Sequence, residues 1–118
     1  MVTNSISSSS ASAFPNSISQ KVDDSNFLLW QQQIEPVIKS HKLQRFIANP
    51  QIPLRFLTEA DRDVGVENPA YEAWEQQDQV LLAWLQSTLS TSILSRIIGC
   101  VHSYEVWEWI HDYFPKQT

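Results

Sequence analysis

One cysteine, two glycines and eight basic residues against thirteen acidic ones set the first limits on this chain. Cys100 alone cannot close an internal disulfide or build a thiolate-rich metal site, which excludes an internal disulfide scaffold and suits a cytosolic or nuclear setting, of which the cytoplasmic one is the expectation. Gly65 and Gly99 are too few for a glycine-rich phosphate loop. A net charge of −5 leaves no surplus of Lys and Arg for a surface devoted to phosphate backbones, so any RNA contact is expected to be local and weak. No window approaches the roughly 20 apolar residues that span a bilayer. Residues 1–20 contain neither Lys nor Arg, unlike a secretory leader or a transit peptide, and no membrane partner is expected.

What the chain does have is apolar and aromatic bulk: 42% of its 118 residues are hydrophobic, and five are tryptophan. That load suffices for one core in a small domain. Residues 1–20 are Ser-rich and aperiodic and cannot repay the entropy of ordering, so they read as a disordered arm with Phe14 and Ile18 as its anchors. Residues 21–115 read as a single all-α domain of about four to five helices.

Asp23, Asp24 and Ser25 are cap-type residues ahead of Phe27, Trp30, Ile34, Val37, Ile38 and His41, whose spacing lays one apolar stripe along a helix. Pro36 falls inside the stripe, which predicts a kink or a break between Gln32 and Pro36. Leu43, Phe46 and Ile47 continue the apolar pattern to Asn49-Pro50. Residues 50–67 carry Pro50, Pro53 and Gly65 without a clean period and read as a surface connection pinned by Leu54, Phe56 and Leu57. Asn68 as N-cap, Pro69 at the first helical position and Glu72 near the positive dipole end announce the best-signalled helix. Its buried face is expected to hold Tyr71, Trp74, Leu81, Leu82, Leu85 and Leu89, interrupted by a polar turn of Gln76, Gln77, Asp78 and Gln79. Ser90 and Thr91 start a short helix with Ile93, Leu94, Ile97 and Ile98, ended by Gly99 as a left-handed cap. Ser103, with Glu105 in the first turn, caps a last helix that carries Val106, Trp107, Trp109, Ile110, Tyr113 and Phe114 and stops at Pro115.

Residues for catalysis are not apparent. His41, His102 and His111 form no pair at helical metal-site spacing, and each reads as a surface or packing histidine. The pairs Glu72/Glu75 and Glu105/Glu108 read as solvated helix faces. Cys100, beside Ile97, Ile98 and Val101, reads as a small core residue. No catalytic residue, metal, cofactor or small-molecule substrate is therefore expected. The core anchors are Trp30, Trp74, Leu81, Leu85, Val106 and Ile110. Trp107 and Trp109 cannot both face one side of a helix, so one belongs to the core and the other to an interface. Lys39, Lys42 and Arg45, with His41, make the one basic cluster, which either complements a helix C-terminus or touches single-stranded RNA.

Three segments together resemble the N-terminal Gag (capsid) part of plant copia-type retrotransposons, the copia-like N-terminal domain. In KVDDSNFLLWQQQIEPVIKSHKLQRFI, Val22, Asn26, Phe27 and Trp30 match a Leu-x-x-x-Asn-Tyr/Phe-x-x-Trp pattern. In NPAYEAWEQQDQVLLAWLQSTLS, Tyr71, Trp74, Asp78, Leu81, Trp84 and Leu85 match Tyr-x-x-Trp-x-x-x-Asp-x-x-Leu-x-x-Trp-(Leu/Ile). In GCVHSYEVWEWIHDYF, Glu105, Val106, Trp107 and Ile110 match Ala-x-Glu-Val-Trp-x-x-Leu, with Tyr104 where a small residue is commoner. The matches cover residues 18–114 in family order.

The resemblance implies an all-α, capsid-like fold that associates with itself or with a related Gag protein around element RNA. The remainder of a capsid region and a Cys/His zinc knuckle are not in this sequence. That fits a truncated or decayed element product, a truncated gene model or a retained host gene, and a chain that forms a monomer or small oligomer instead of a shell. Three functional readings follow: a non-enzymatic self-association module, a weak single-stranded RNA binder using Lys39, Lys42 and Arg45, or a folded relic without a task.

Overall fold

The computed structural model describes residues 21–23 and 25–114; the Ser-rich arm, Asp24 and the stretch from Pro115 lie outside the described residues. The helices are α1 (Phe27–Ser40), α2 (Glu59–Val64), α3 (Pro69–Ser87), α4 (Thr91–Arg96) and α5 (Ser103–Tyr113), with a 3-10 turn at Gln44–Phe46 between α1 and α2. Extended pairing among the described residues is one isolated parallel bridge, Val22 to Leu89. The domain is all-α, as the periodicities predict.

Helix α1 runs unbroken through Pro36, where a break was one of two expectations. Gln32 and Pro36 are both exposed, so the carbonyl that loses its partner to proline can be hydrated. Burial of Trp30, Ile34 and Ile38 holds the turns on the other face. The helix starts one residue later than Asp23–Ser25 suggest, with Asn26 at the N-cap position. The Asp23 carboxylate instead accepts from Ser25 N and Oγ, both at 2.9 Å. Asn26 Oδ1 accepts from Asp23 N at 2.8 Å, and Asn26 Nδ2 donates to the Lys21 carbonyl at 2.9 Å. This turn aims Val22 at the end of α3, where its N–H donates to the Thr88 carbonyl at 2.9 Å and its carbonyl accepts from Ser90 N at 3.1 Å.

At the other end of α1, Leu43 N donates back to the Ile38 carbonyl at 3.0 Å, and Lys42 takes φ 58°. A left-handed residue at this point satisfies the last carbonyls of the helix, a place usually given to glycine. The 3-10 turn then buries Leu43, Phe46 and Ile47.

Residues 50–67 are more ordered than an irregular connection. Thr58 Oγ1 accepts from Asp61 N at 3.0 Å and starts α2. Gly65, at φ 78°, ends it, a backbone state that costs glycine little. Nothing on α2 is buried, and Leu54 and Leu57, expected to pin this stretch, are exposed by 67% and 60%. The segment is held at its base: Asn68 N donates to the Arg55 carbonyl at 2.7 Å, Asn68 Nδ2 to the Leu54 carbonyl at 2.8 Å, and Arg55 pairs with Glu67 at 2.6 Å.

Asn68 caps α3 as expected, its Oδ1 accepting from Ala70 N at 3.0 Å. Leu81 and Leu85 are fully buried and Trp74, Leu82 and Trp84 nearly so, while Tyr71 is only half-buried. Ser90 Oγ accepts from Ile93 N to start α4. Gly99 does not act as the left-handed cap: its φ is not positive, the helix stops at Arg96 with Ile97 at the C-cap position, and Ile98 is left 82% exposed.

The core lies where α1, α3 and α5 converge, with α3 and α5 directly packed. Trp30, Ile34, Leu81, Leu85, Val106 and Ile110 are shielded completely. Phe27 stacks on the buried Phe114 at 5.1 Å between ring centroids. At the core's edge the Trp30 indole N–H donates to Thr88 Oγ1 at 2.8 Å, and that hydroxyl donates to the Leu85 carbonyl at 2.7 Å. Thr88 thus satisfies the polar tip of the largest core residue.

Candidate functional site

Asp78, expected in a polar turn that interrupts the buried face of α3, is instead fully buried. It falls on the stripe that Trp74, Leu81 and Leu85 define, at one turn from each neighbour, so its side chain points at α5. Oδ1 accepts from Ser103 N, the first residue of α5, at 3.0 Å, and Oδ2 from His102 Nδ1 at 2.8 Å. Gln79 Nε2 donates to Oδ2 at 3.3 Å and to the Val101 carbonyl at 3.0 Å. A carboxylate in the middle of one helix therefore caps the N-terminus of another, where unpaired N–H groups and the helix dipole favour negative charge. His102, not Ser103, occupies the N-cap position of α5. Glu105, expected on a solvated face, reaches back to accept from Val101 N at 2.7 Å and His102 N at 3.0 Å.

Asp, His and Ser side by side invite comparison with a hydrolytic triad, and the geometry argues otherwise. Ser103 Oγ donates to the Asp78 main-chain carbonyl at 2.9 Å and is fully buried. A triad needs the hydroxyl on the imidazole and open to substrate. The cluster fastens α5 to α3. Among the described residues, every buried side-chain nitrogen and oxygen has a hydrogen-bond partner, and no three His, Cys, Asp or Glu side chains group as metal ligands would.

The six anchors Trp30, Trp74, Leu81, Leu85, Val106 and Ile110 are all buried, Trp74 least so at 8% exposure. Trp107 and Trp109 do not divide into one core and one exposed residue; both are half-buried. Trp107 packs on Trp30 at 6.1 Å and on His111 at 4.4 Å, whereas Trp109 stacks on Tyr113 at 4.9 Å, with Arg96 over the Tyr113 ring at 5.4 Å.

Lys39, Lys42 and Arg45 are all exposed around the end of α1 and the 3-10 turn, with the Arg45 guanidinium 5.4 Å from the Phe46 ring centroid. His41 Nδ1 donates to the Val37 carbonyl at 2.9 Å, and His111 Nδ1 to the Trp107 carbonyl at 2.9 Å, both one turn back along their own helices. Beside the basic cluster lies a mainly apolar cleft of about 150 Å³, bordered by Ile38, Lys39, Ile47 and Trp107. Cys100 is half-buried with a free thiol, which burial, and secondarily the charge of Glu105, pushes above the ordinary thiol range. That protonated state is the opposite of an activated nucleophile.

This is a small all-α domain whose buried polar side-chain atoms, among the described residues, are all hydrogen-bonded. No family model matches the chain, and no solved structure matches it. It is similar to the retrovirus-related Pol polyprotein from transposon RE1 of Arabidopsis thaliana, at 22% identity over 100 residues that cover 83% of this chain. The same match covers 7% of the polyprotein, so the chain spans a small part of that relative's length. The similarity relates the chain to a retrotransposon polyprotein. No described helix is long and apolar enough to cross a membrane.

Proposed function

We propose that the chain is a non-enzymatic, Gag-like structural module of copia type whose task is to associate with copies of itself or with a related Gag protein. The observation that carries the reading is apolar surface left over once the core is complete. Leu28 and Leu29 on α1, Leu54, Leu57, Val64 and Val66 around α2, and Ile98 and Val101 before α5 are all exposed by more than 40%. Single exposed apolar residues are ordinary, but grouped ones mark interaction sites. The similarity to a retrotransposon polyprotein fits a transposon-derived module. Sedimentation equilibrium over a hundredfold concentration range tests it: the reading expects apparent mass to climb with concentration, and a mass fixed at that of one chain contradicts it.

A second reading has its own observation. Lys39, Lys42 and Arg45 are exposed, and Lys39 borders the same cleft as Trp107, a charge-plus-aromatic arrangement on which single-stranded RNA can track and stack. Filter binding in titrated salt decides it, because phosphate contacts give an affinity that falls steeply with salt.

A further inference from the structure

Two surfaces described above are unlike each other and complementary. The first is the segment around α2. Its base is closed by Asn68 and the Arg55–Glu67 pair, yet no residue of α2 is buried, so the helix stands away from the core. Leu57, Val64 and Val66 are 60%, 73% and 56% exposed. Around them Glu59, Asp61 and Asp63 outnumber Arg62, because Arg55 is already engaged with Glu67. A short helix with no buried face gains little from its own domain, since helical stability in proteins comes mostly from packing an apolar face.

The second surface is the cleft beside the end of α1. Its floor is apolar, from Ile38, Ile47 and the half-buried Trp107. Its volume of about 150 Å³ is of the size that takes one small apolar group in a protein interior. Lys39 borders it, and the exposed Lys42 and Arg45 follow within six residues along the chain, with no acid between them. Glu35, also on the border, is hydrogen-bonded by Gln31 Nε2 at 2.7 Å.

We propose that the α2 segment of one copy seats on the cleft of a second copy, with Leu57 or Val64 entering beside Trp107 while Asp61 and Asp63 face Lys39 and Lys42. The inference rests on the self-association reading and adds to it which surfaces meet. The contact joins different patches on the two copies, so it is head-to-tail and leaves each pair with one free surface of each kind. Such a contact propagates or closes into a ring. Apolar insertion supplies the affinity; the opposed charges fix the register and make assembly fall with salt.

The experiment uses the full chain and two charge-reversed variants, Lys39→Glu with Lys42→Glu and Asp61→Lys with Asp63→Lys, followed by light scattering. Circular dichroism confirms that each variant is helical, and Leu57→Ser removes apolar area without altering the charge of α2. The wild type should associate. Each reversed variant alone and Leu57→Ser should associate about tenfold more weakly or worse. Mixing the two reversed variants should restore assembly, because each presents a surface that suits the other. A wild type that stays a single chain at every concentration overturns the self-association reading and this contact with it. A wild type that associates while the reversed variants do so equally well, or variants that fail to rescue each other, overturns the contact alone.

Discussion

Replacing Asp78 with alanine tests most sharply how the domain holds together. The carboxylate is fully buried and accepts from Ser103 N at 3.0 Å and His102 Nδ1 at 2.8 Å. Its removal strands the Ser103 N–H inside the protein, and a buried unpaired donor costs about 1–3 kcal/mol. Loss of a negative charge from the N-terminus of α5 adds about 0.3–2 kcal/mol. His102 recovers part of its loss, since 22% of its side chain is exposed and water can reach it. The sum is about 1.3–5 kcal/mol, against the roughly 5–14 kcal/mol expected for a domain of this size. Asp78→Asn keeps an acceptor for Ser103 N but not the charge, and should lose about half as much. Urea unfolding measures both. The alanine variant should drop the midpoint by about 2 M at an unchanged slope, with asparagine between it and the wild type. An alanine variant within about 1 kcal/mol of the wild type would refute the argument that this carboxylate fastens α5 to α3.

Further outcomes follow from single contacts. Thr88→Val keeps the shape but leaves the buried Trp30 indole N–H without its 2.8 Å partner, and should destabilise by about 1–3 kcal/mol where Thr88→Ser does not, by the same unfolding assay. Lys42→Gly should stabilise by about 0.5–1 kcal/mol, because φ 58° strains a side-chain-bearing residue and the gain exceeds glycine's added entropy loss; a drop in melting temperature would contradict this. The Cys100 thiol lies above the ordinary range through burial, so less thiolate forms at a given pH. Alkylation at pH 8 should be slower in the native chain than in the urea-unfolded one, and the ratio should shrink as pH rises; equal rates at pH 8 would refute it.

The helical class, the cap and first turn of α3 and the six core anchors were legible because each rests on a local signal: periodicity for burial, Asn-Pro for the start. Pro36 left a kink and a break equally open, since sequence does not say which way a proline faces, and here both it and Gln32 are exposed. Helix α2 has a legible start and stop in Thr58, three residues before Asp61, and Gly65, but the prolines nearby and the lack of an apolar period give the segment the pattern of a loop. Asp78 was missed as a structural residue because its polarity outweighed its position, yet spacing from Trp74 and Leu81 placed it on the buried stripe. Its partner is the N-terminus of α5, 25 residues on, and no local rule reports that pairing. The basic cluster was legible as charge, but the cleft beside it is made by α1, the 3-10 turn and α5 together. Such a surface exists only once the chain is folded.

The central claim, that the domain is built to meet another copy of itself, is tested most directly by heteronuclear NMR of the full chain as concentration rises. The account predicts that amides of residues 57–66 and the Trp107 indole shift together and saturate on one binding curve, while amides lining the buried core do not move. Spectra that stay the same across the whole concentration range would contradict it.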